Sequence, residues 1–186
     1  MKPAELKQCR QCEKFFRPWS TTQTVCGRLC AGRLVKAEKK AEIATTRARK
    51  QALKTIPQLI AEAQVEFNKF IRARDEAQPC ICCGRFAVGD YGAGHGWDCG
   101  HYRSTGSASH LRFNEDNAHR QLVVCNRHGA GRAVDYRIGL IQRIGLERVE
   151  TLESDNRVHR WTREELVAVK DFYKTKLKAL QAERTD

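Results

Sequence analysis

The chain predicts an α+β fold, mainly helical. A small treble-clef-like zinc finger opens it, a helical linker follows, and a ββα-type core flanked by helices completes it. Three observations carry this expectation. Nine cysteines fall into two clusters with metal-ligand spacing. Apolar residues recur at helical spacing after Pro57 and after Thr162. Between them, residues 80–128 are glycine-rich and punctuated by turns. The expected divisions are 1–35 (finger), 36–78 (basic linker and core-packing helix), 79–160 (core) and 161–186 (C-terminal helix).

The first cluster reads Cys9-x2-Cys12, thirteen residues, then Cys26-x3-Cys30. Two thiolate pairs joined by a short loop can close a tetrahedral zinc site, and the 26/30 spacing puts both sulfurs on one helical face. Residues 31–54 are rich in Ala, Lys, Arg and Glu, a helix-forming composition with little apolar periodicity. After Pro57, Leu59, Ile60, Ala63, Phe67, Phe70 and Ile71 predict a core-packing helix to Asp75. Short strands are expected around residues 86–88 and 121–124, and a helical pattern from Cys125, interrupted at Gly139 and Gly145. A short helix is expected near 147–152. Thr162 and Glu165 form a capping box, and Leu166, Val169, Tyr173, Leu177 and Leu180 give the last helix its apolar stripe.

Net charge is +12, and residues 1–54 carry 14 Lys/Arg against 4 Asp/Glu. A basic arm ahead of a nearly neutral body suits a polyanion, with Lys36, Lys39, Lys40, Arg47, Arg49 and Lys50 as backbone contacts and Arg103 and Arg112 as further ones in the core. No run of apolar residues is long enough to span a bilayer, and no apolar signal region follows Met1, so no membrane partner and a cytoplasmic location are expected. Reducing conditions argue for metal ligation rather than disulfides.

The chemistry lies in residues 80–128. Cys80-x2-Cys83-Gly84, Asp98-Cys99-Gly100-His101, Asn117 and Cys125-Asn126 follow the order of a zinc-braced HNH-type nuclease. Phosphodiester hydrolysis needs an activated water and stabilisation of added negative charge. His101, with an unperturbed pKa of roughly 6.5, suits the general base. Asn126 and Asp98 offer oxygens for a catalytic Mg²⁺ or Mn²⁺. Asn117 is read as an organiser of the loop around His101. The structural zinc in the core has Cys80, Cys83 and Cys125. Position 122, where a partner of Cys125 would stand, is Leu122. Either Cys99, His119, His128 or Cys82 provides the fourth ligand or the site holds no zinc, with Cys99 having no other evident purpose and His119 near enough in sequence to bind.

The runs Cys-x2-Cys-Gly, Gly100-His101-Tyr102-Arg103-Ser104, Leu111-Arg112-Phe113-Asn114, Asn117-x-His119-x-Gln121, Cys125-Asn126 and Tyr136-Arg137 resemble the NinG (Rap) recombination endonucleases of lambdoid phages. The resemblance covers nearly the whole chain, the four-cysteine finger included. It implies a His-Me finger nuclease of phage origin acting in the host cytoplasm. Such an enzyme cleaves branched recombination intermediates, Holliday junctions and D-loops, alongside recombination proteins. His101 corresponds to the family's base, and Asn117 and Asn126 to its two asparagines. A homodimer would suit symmetric cutting of a four-way junction. The competing expectation is a non-catalytic zinc module that binds DNA or a recombinase. An RNA-binding zinc protein is a third, without the stacking-aromatic motifs of the RNA modules.

Overall fold

The computed structural model describes residues 5–86 and 96–184. The chain is mixed α+β and mainly helical, in two compact units that part between Lys54 and Thr55, inside the 36–78 segment. Each unit is described by itself.

In the first unit, β1 (Lys7–Gln8) pairs antiparallel with β2 (Phe15–Phe16), and Cys9 and Cys12 sit in the turn between them. Cys26 precedes and Cys30 lies within α1 (Arg28–Ala52), a helix of 25 residues and about 37 Å at ~1.5 Å per residue. Cys30 is its one buried residue. Lys36, Lys39, Lys40, Arg47, Arg49 and Lys50 are all exposed along it.

In the second unit, α2 (Ile56–Arg74) starts at a capping box. The Thr55 N–H donates to Gln58 Oε1 at 2.9 Å, and Pro57 occupies the first turn, where no N–H is needed. Leu59, Ala63, Phe67, Phe70 and Ile71 are buried, as their spacing predicts, with Ile60 half-buried beside them. They pack against Leu166 and Tyr173 of α5 (Arg163–Ala182), whose N-cap Thr162 receives the Glu165 N–H. Cys99, Phe113 and Ala118 close this core from the other side.

A two-stranded antiparallel sheet packs on α2, with β3 (Trp97–His101) and β4 (Ala118–Leu122) in the register His101↔Ala118 to Trp97↔Leu122. The expected strand at 86–88 lies largely outside the described residues, and Phe86 is in no strand. The expected strand at 121–124 is shifted back to 118–122, because Val124 opens a wide helical turn, Val124–His128. Strand β3 carries no alternating apolar signal; its pairing with β4 makes it a strand.

A second core unites Ile81, Leu111 and Ala108 with Tyr136 and Leu140 of α3 (Ala133–Ile144) and Val149 and Leu152 of α4 (Leu146–Ser154). Gly139 does not interrupt α3. It lets the helix press against the cysteine knuckle, since a Cβ there would lie 1.8 Å from the Ile81 carbonyl oxygen. A backbone oxygen cannot rotate aside. Gly139→Ala is therefore expected to destabilise this unit by about 1–3 kcal/mol, the scale of core overpacking, despite alanine's better helix propensity. Urea unfolding checks it; an unchanged midpoint would show that knuckle and helix do not touch.

Asp75 ends α2 as a buried anion. Arg74 donates to both of its oxygens (2.7 and 2.9 Å), the Arg120 N–H donates at 3.0 Å, and Arg143 approaches to 3.7 Å. His119, 2% exposed, lies 3.3 Å away. Burial pushes the Asp75 carboxyl up, but the adjacent His119 ring, the Arg74 hydrogen bonds and charge and the Arg120 N–H hold it well below the usual carboxylate range. This depressed pKa stabilises the fold above the unfolded value of about 3.9, and the gain is lost as pH falls below it. Asp75→Asn is expected to cost about 3–5 kcal/mol near neutrality, because it strands buried cations. The gap to wild type should narrow below about pH 4; denaturant melts at pH 7 and 3 measure both.

Candidate functional site

The two cysteine knuckles share one backbone design. Cys9 N–H donates to the Lys14 carbonyl and Glu13 N–H to the Cys9 carbonyl, both at 2.9 Å. Cys80 N–H donates to the Arg85 carbonyl and Gly84 N–H to the Cys80 carbonyl, again at 2.9 Å. Both turns require a left-handed residue. Gly84 supplies it freely at φ 66°, and Glu13 adopts φ 60°. The first sulfur of each knuckle accepts a backbone N–H at 3.3 Å, from Cys26 in one and from Leu122 in the other. Leu122 thus stands where the first knuckle has its third cysteine.

In the first cluster, Cys9, Cys12, Cys26 and Cys30 bring their sulfurs within 4.8 Å of one another, as the spacing predicts. The Cys12–Cys26 and Cys26–Cys30 separations are 3.7 and 3.5 Å. Tetrahedral zinc with Zn–S bonds of ~2.3 Å needs sulfur edges of roughly 3.8 Å, so the four fit such an ion. Burial opposes charge on Cys9, yet the Cys26, Cys12 and Gln11 N–H groups hold its thiol down at about 6. Cys26, facing the sulfurs of Cys30, Cys12 and Cys9, is pushed up to about 12. A cation would relieve that crowding of charge.

In the second cluster, the sulfur that joins Cys80, Cys83 and Cys125 is that of Cys82. Its Sγ lies 3.5 Å from Cys80, and Cys83 lies 3.6 Å from Cys125. Gln121 Nε2 donates to Cys82 at 3.4 Å. The expectation of Cys99 or His119 as fourth ligand is corrected by their surroundings. Cys99 is packed in the α2–α5 core, where burial pushes its thiol up to about 12. His119 donates from Nε2 to the Asp116 carbonyl and lies 3.0 Å from Arg74 at Nδ1, a neutral ring with both nitrogens engaged. His128 is exposed and outside the cluster. Cys82 stays close because its knuckle turn folds it back, and it fills the corner that Leu122 leaves.

His101 ends β3 with its ring 5.9 Å from that of Phe67. Its Nε2 meets the Arg112 carbonyl at 3.0 Å. A carbonyl only accepts, so Nε2 carries the proton in the neutral ring and Nδ1 is the basic nitrogen. Burial lowers its pKa, and the carbonyls of Arg112 and Cys99 oppose that. Asn117, wholly buried, ties the 102–117 loop. Its Oδ1 accepts from the Arg103 N–H at 2.8 Å, and its Nδ2 donates to the Arg103 and Leu111 carbonyls.

Asn126 and Asp98 are also brought together. Asn126 Nδ2 donates to Asp98 Oδ2 at 3.0 Å, while Arg127 forks onto both oxygens at 2.8 and 2.9 Å. Burial raises the Asp98 carboxyl, but Arg127 and Asn126 hold it below its ordinary value. A carboxylate and an amide suit a hard cation by chemistry. One would have to take the place of the Arg127 fork and turn the amide oxygen inward. Asp98 and His101 lie three residues apart on β3, roughly 10 Å at ~3.3 Å per residue, and project to opposite faces. The structure does not place them side by side.

Arg103 is not free for a phosphate. It donates to the Leu152 and Glu153 carbonyls (2.9 and 3.4 Å), to the Asp155 carbonyl and to Asn156 Oδ1, capping the end of α4. Its expected DNA contact is corrected to a structural one. The Arg112 side chain instead reaches Gln64 Oε1 at 3.2 Å and the Thr105 carbonyl at 3.0 Å, beside His101. Sequence reasoning missed Arg127, Gln64 and the Asp75 hub. Arg127 adjoins Asn126, but no local pattern pairs it with Asp98.

Two four-cysteine clusters able to hold a metal such as zinc, on a mixed, mainly helical chain, define the class. No helix among the described residues is long and apolar enough to cross a membrane. The family model described as Bacteriophage Lambda NinG protein matches residues 1–183. The chain is 41% identical to Protein ninG of Escherichia phage lambda, with 100% of this chain and 98% of the relative covered. It is 39% identical to Protein ninG of Salmonella phage P22, with 97% and 96% covered. The chain belongs to the NinG family. No solved structure matches it.

Proposed function

We propose that the chain is a divalent-metal-dependent DNA endonuclease of the HNH type, selective for branched recombination intermediates such as Holliday junctions and D-loops. The observation that supports this best is the His101 ring, held as a neutral imidazole with its basic Nδ1 left by the Arg112 tether. Asn117 holds the loop that carries that tether. Strand β3 pairs only with β4 among the described residues. The scissile phosphate is assigned to the neighbourhood of His101, and the Asp98–Asn126 pair on the opposite face of β3 is the candidate cation site. Mg²⁺ or Mn²⁺, when bound there, would neutralise phosphate charge. His101 takes the proton of the attacking water, and Asp98 and Asn126 are the residues that would hold the cation. The two sulfur clusters, as zinc sites, brace the finger and the hairpin. Partners are branched DNA, recombination proteins and a second copy of the chain, in the host cytoplasm.

Purified protein should cut four-way junction DNA in Mg²⁺ or Mn²⁺ and should prefer it to linear duplex. Binding without cleavage in either metal would favour the non-catalytic zinc module. The exposed cations of α1 should supply salt-sensitive affinity. Deleting residues 1–54 is expected to weaken junction binding and to flatten the dependence of log K on log salt. An unchanged slope in a folded truncation would remove the arm from the interface.

A further inference from the structure

Arg112 does two things beside His101. Its carbonyl accepts from the imidazole, and its guanidinium is held next to the same ring by Gln64 Oε1 and the Thr105 carbonyl. Gln64 is itself oriented, donating from Nε2 to Asn68 Oδ1 at 2.7 Å one turn along α2. The guanidinium is partly buried, with no carboxylate paired to it among the described residues, and its buried Nε–H has no acceptor there. A cation set without an anion beside a general base calls for an anionic ligand.

We infer that the Arg112 guanidinium is the clamp on the scissile phosphate, and that Gln64, backed by Asn68, is its positioning residue. This rests on the nuclease reading above and adds to it the group that meets the charge developing on the phosphate. A planar guanidinium can donate to two phosphate oxygens at once. One loop residue would then tether the base through its backbone and hold the phosphate through its side chain, which fixes their separation. Arg112 is thereby a catalytic residue rather than one of many backbone contacts.

Side-chain substitution removes the cation and leaves the carbonyl tether, so the two roles separate. Single-turnover cleavage of a four-way junction in Mn²⁺ should fall about 10²-fold in Arg112→Gln, the scale of losing one charge-stabilising donor. Arg112→Lys should recover part of it. Junction affinity, measured in Ca²⁺, should change less than about 3-fold, because one contact among many is lost. Gln64→Ala, which leaves the guanidinium unanchored, should cut roughly 10-fold more slowly at unchanged affinity. Metal content and melting confirm that each variant folds. Wild-type cleavage rates in Arg112→Gln or in Gln64→Ala would overturn the clamp while leaving the nuclease standing. So would a loss that appears wholly in affinity. Wild-type protein that cuts neither junction nor linear DNA would remove the nuclease reading, and the clamp with it.

Discussion

Replacing His101 by alanine is expected to lower junction cleavage by about 10²-fold or more, the contribution of a general base. Junction binding should persist, because His101 is mostly buried and supplies no charge in its neutral form. The ring also packs on Phe67, so some loss of stability is expected, and melting curves must accompany the rates. The pH profile carries a second signature. Burial lowers the His101 pKa, and the base acts when neutral. Cleavage should therefore rise with pH through a midpoint below the ordinary histidine value of roughly 6.5. Folded His101→Ala protein that cuts at the wild-type rate would end the assignment of His101 as the general base. A midpoint above ~7 would mean that another group titrates.

Cys82→Ser is expected to damage the second unit severely. Its Sγ completes the set of four with Cys80, Cys83 and Cys125, and a hydroxyl is a poor substitute for a thiolate. Structural zinc supplies on the order of 10–16 kcal/mol to a small finger, so losing one of four ligands forfeits much of that. Metal content should fall from two ions per chain to one, matching the two clusters. Knuckle and hairpin should loosen together, since the Leu122 N–H is donated to Cys80 and Gln121 to Cys82. Cys99→Ser is the control. It should keep two ions, because Cys99 lies in the core and not in the cluster. Elemental analysis of both variants decides it. Two ions in Cys82→Ser and one in Cys99→Ser would reverse the ligand assignment.

What sequence alone determined was local. The Cys9–Cys12 and Cys80–Cys83 turns close within six residues, so their spacing already implies their shape. The apolar stripes of α2 and α5 and the Thr162–Glu165 box are set by helical period and by i, i+3 hydrogen bonds. The place of Asn117 between His101 and Cys125 suggests an organiser of that loop, within which its side chain bonds the Arg103 and Leu111 carbonyls. What tertiary structure decided was long-range pairing. Gln121 and Cys82, 39 residues apart, meet because β4 crosses the knuckle. Arg103 is spent on the end of α4, some fifty residues on, and His119 on Asp75. Asp98 and His101, three residues apart, fall on opposite faces only because their segment becomes a strand by pairing with β4. Residue type gave each of these groups several possible partners of similar strength, and packing of distant segments chose among them.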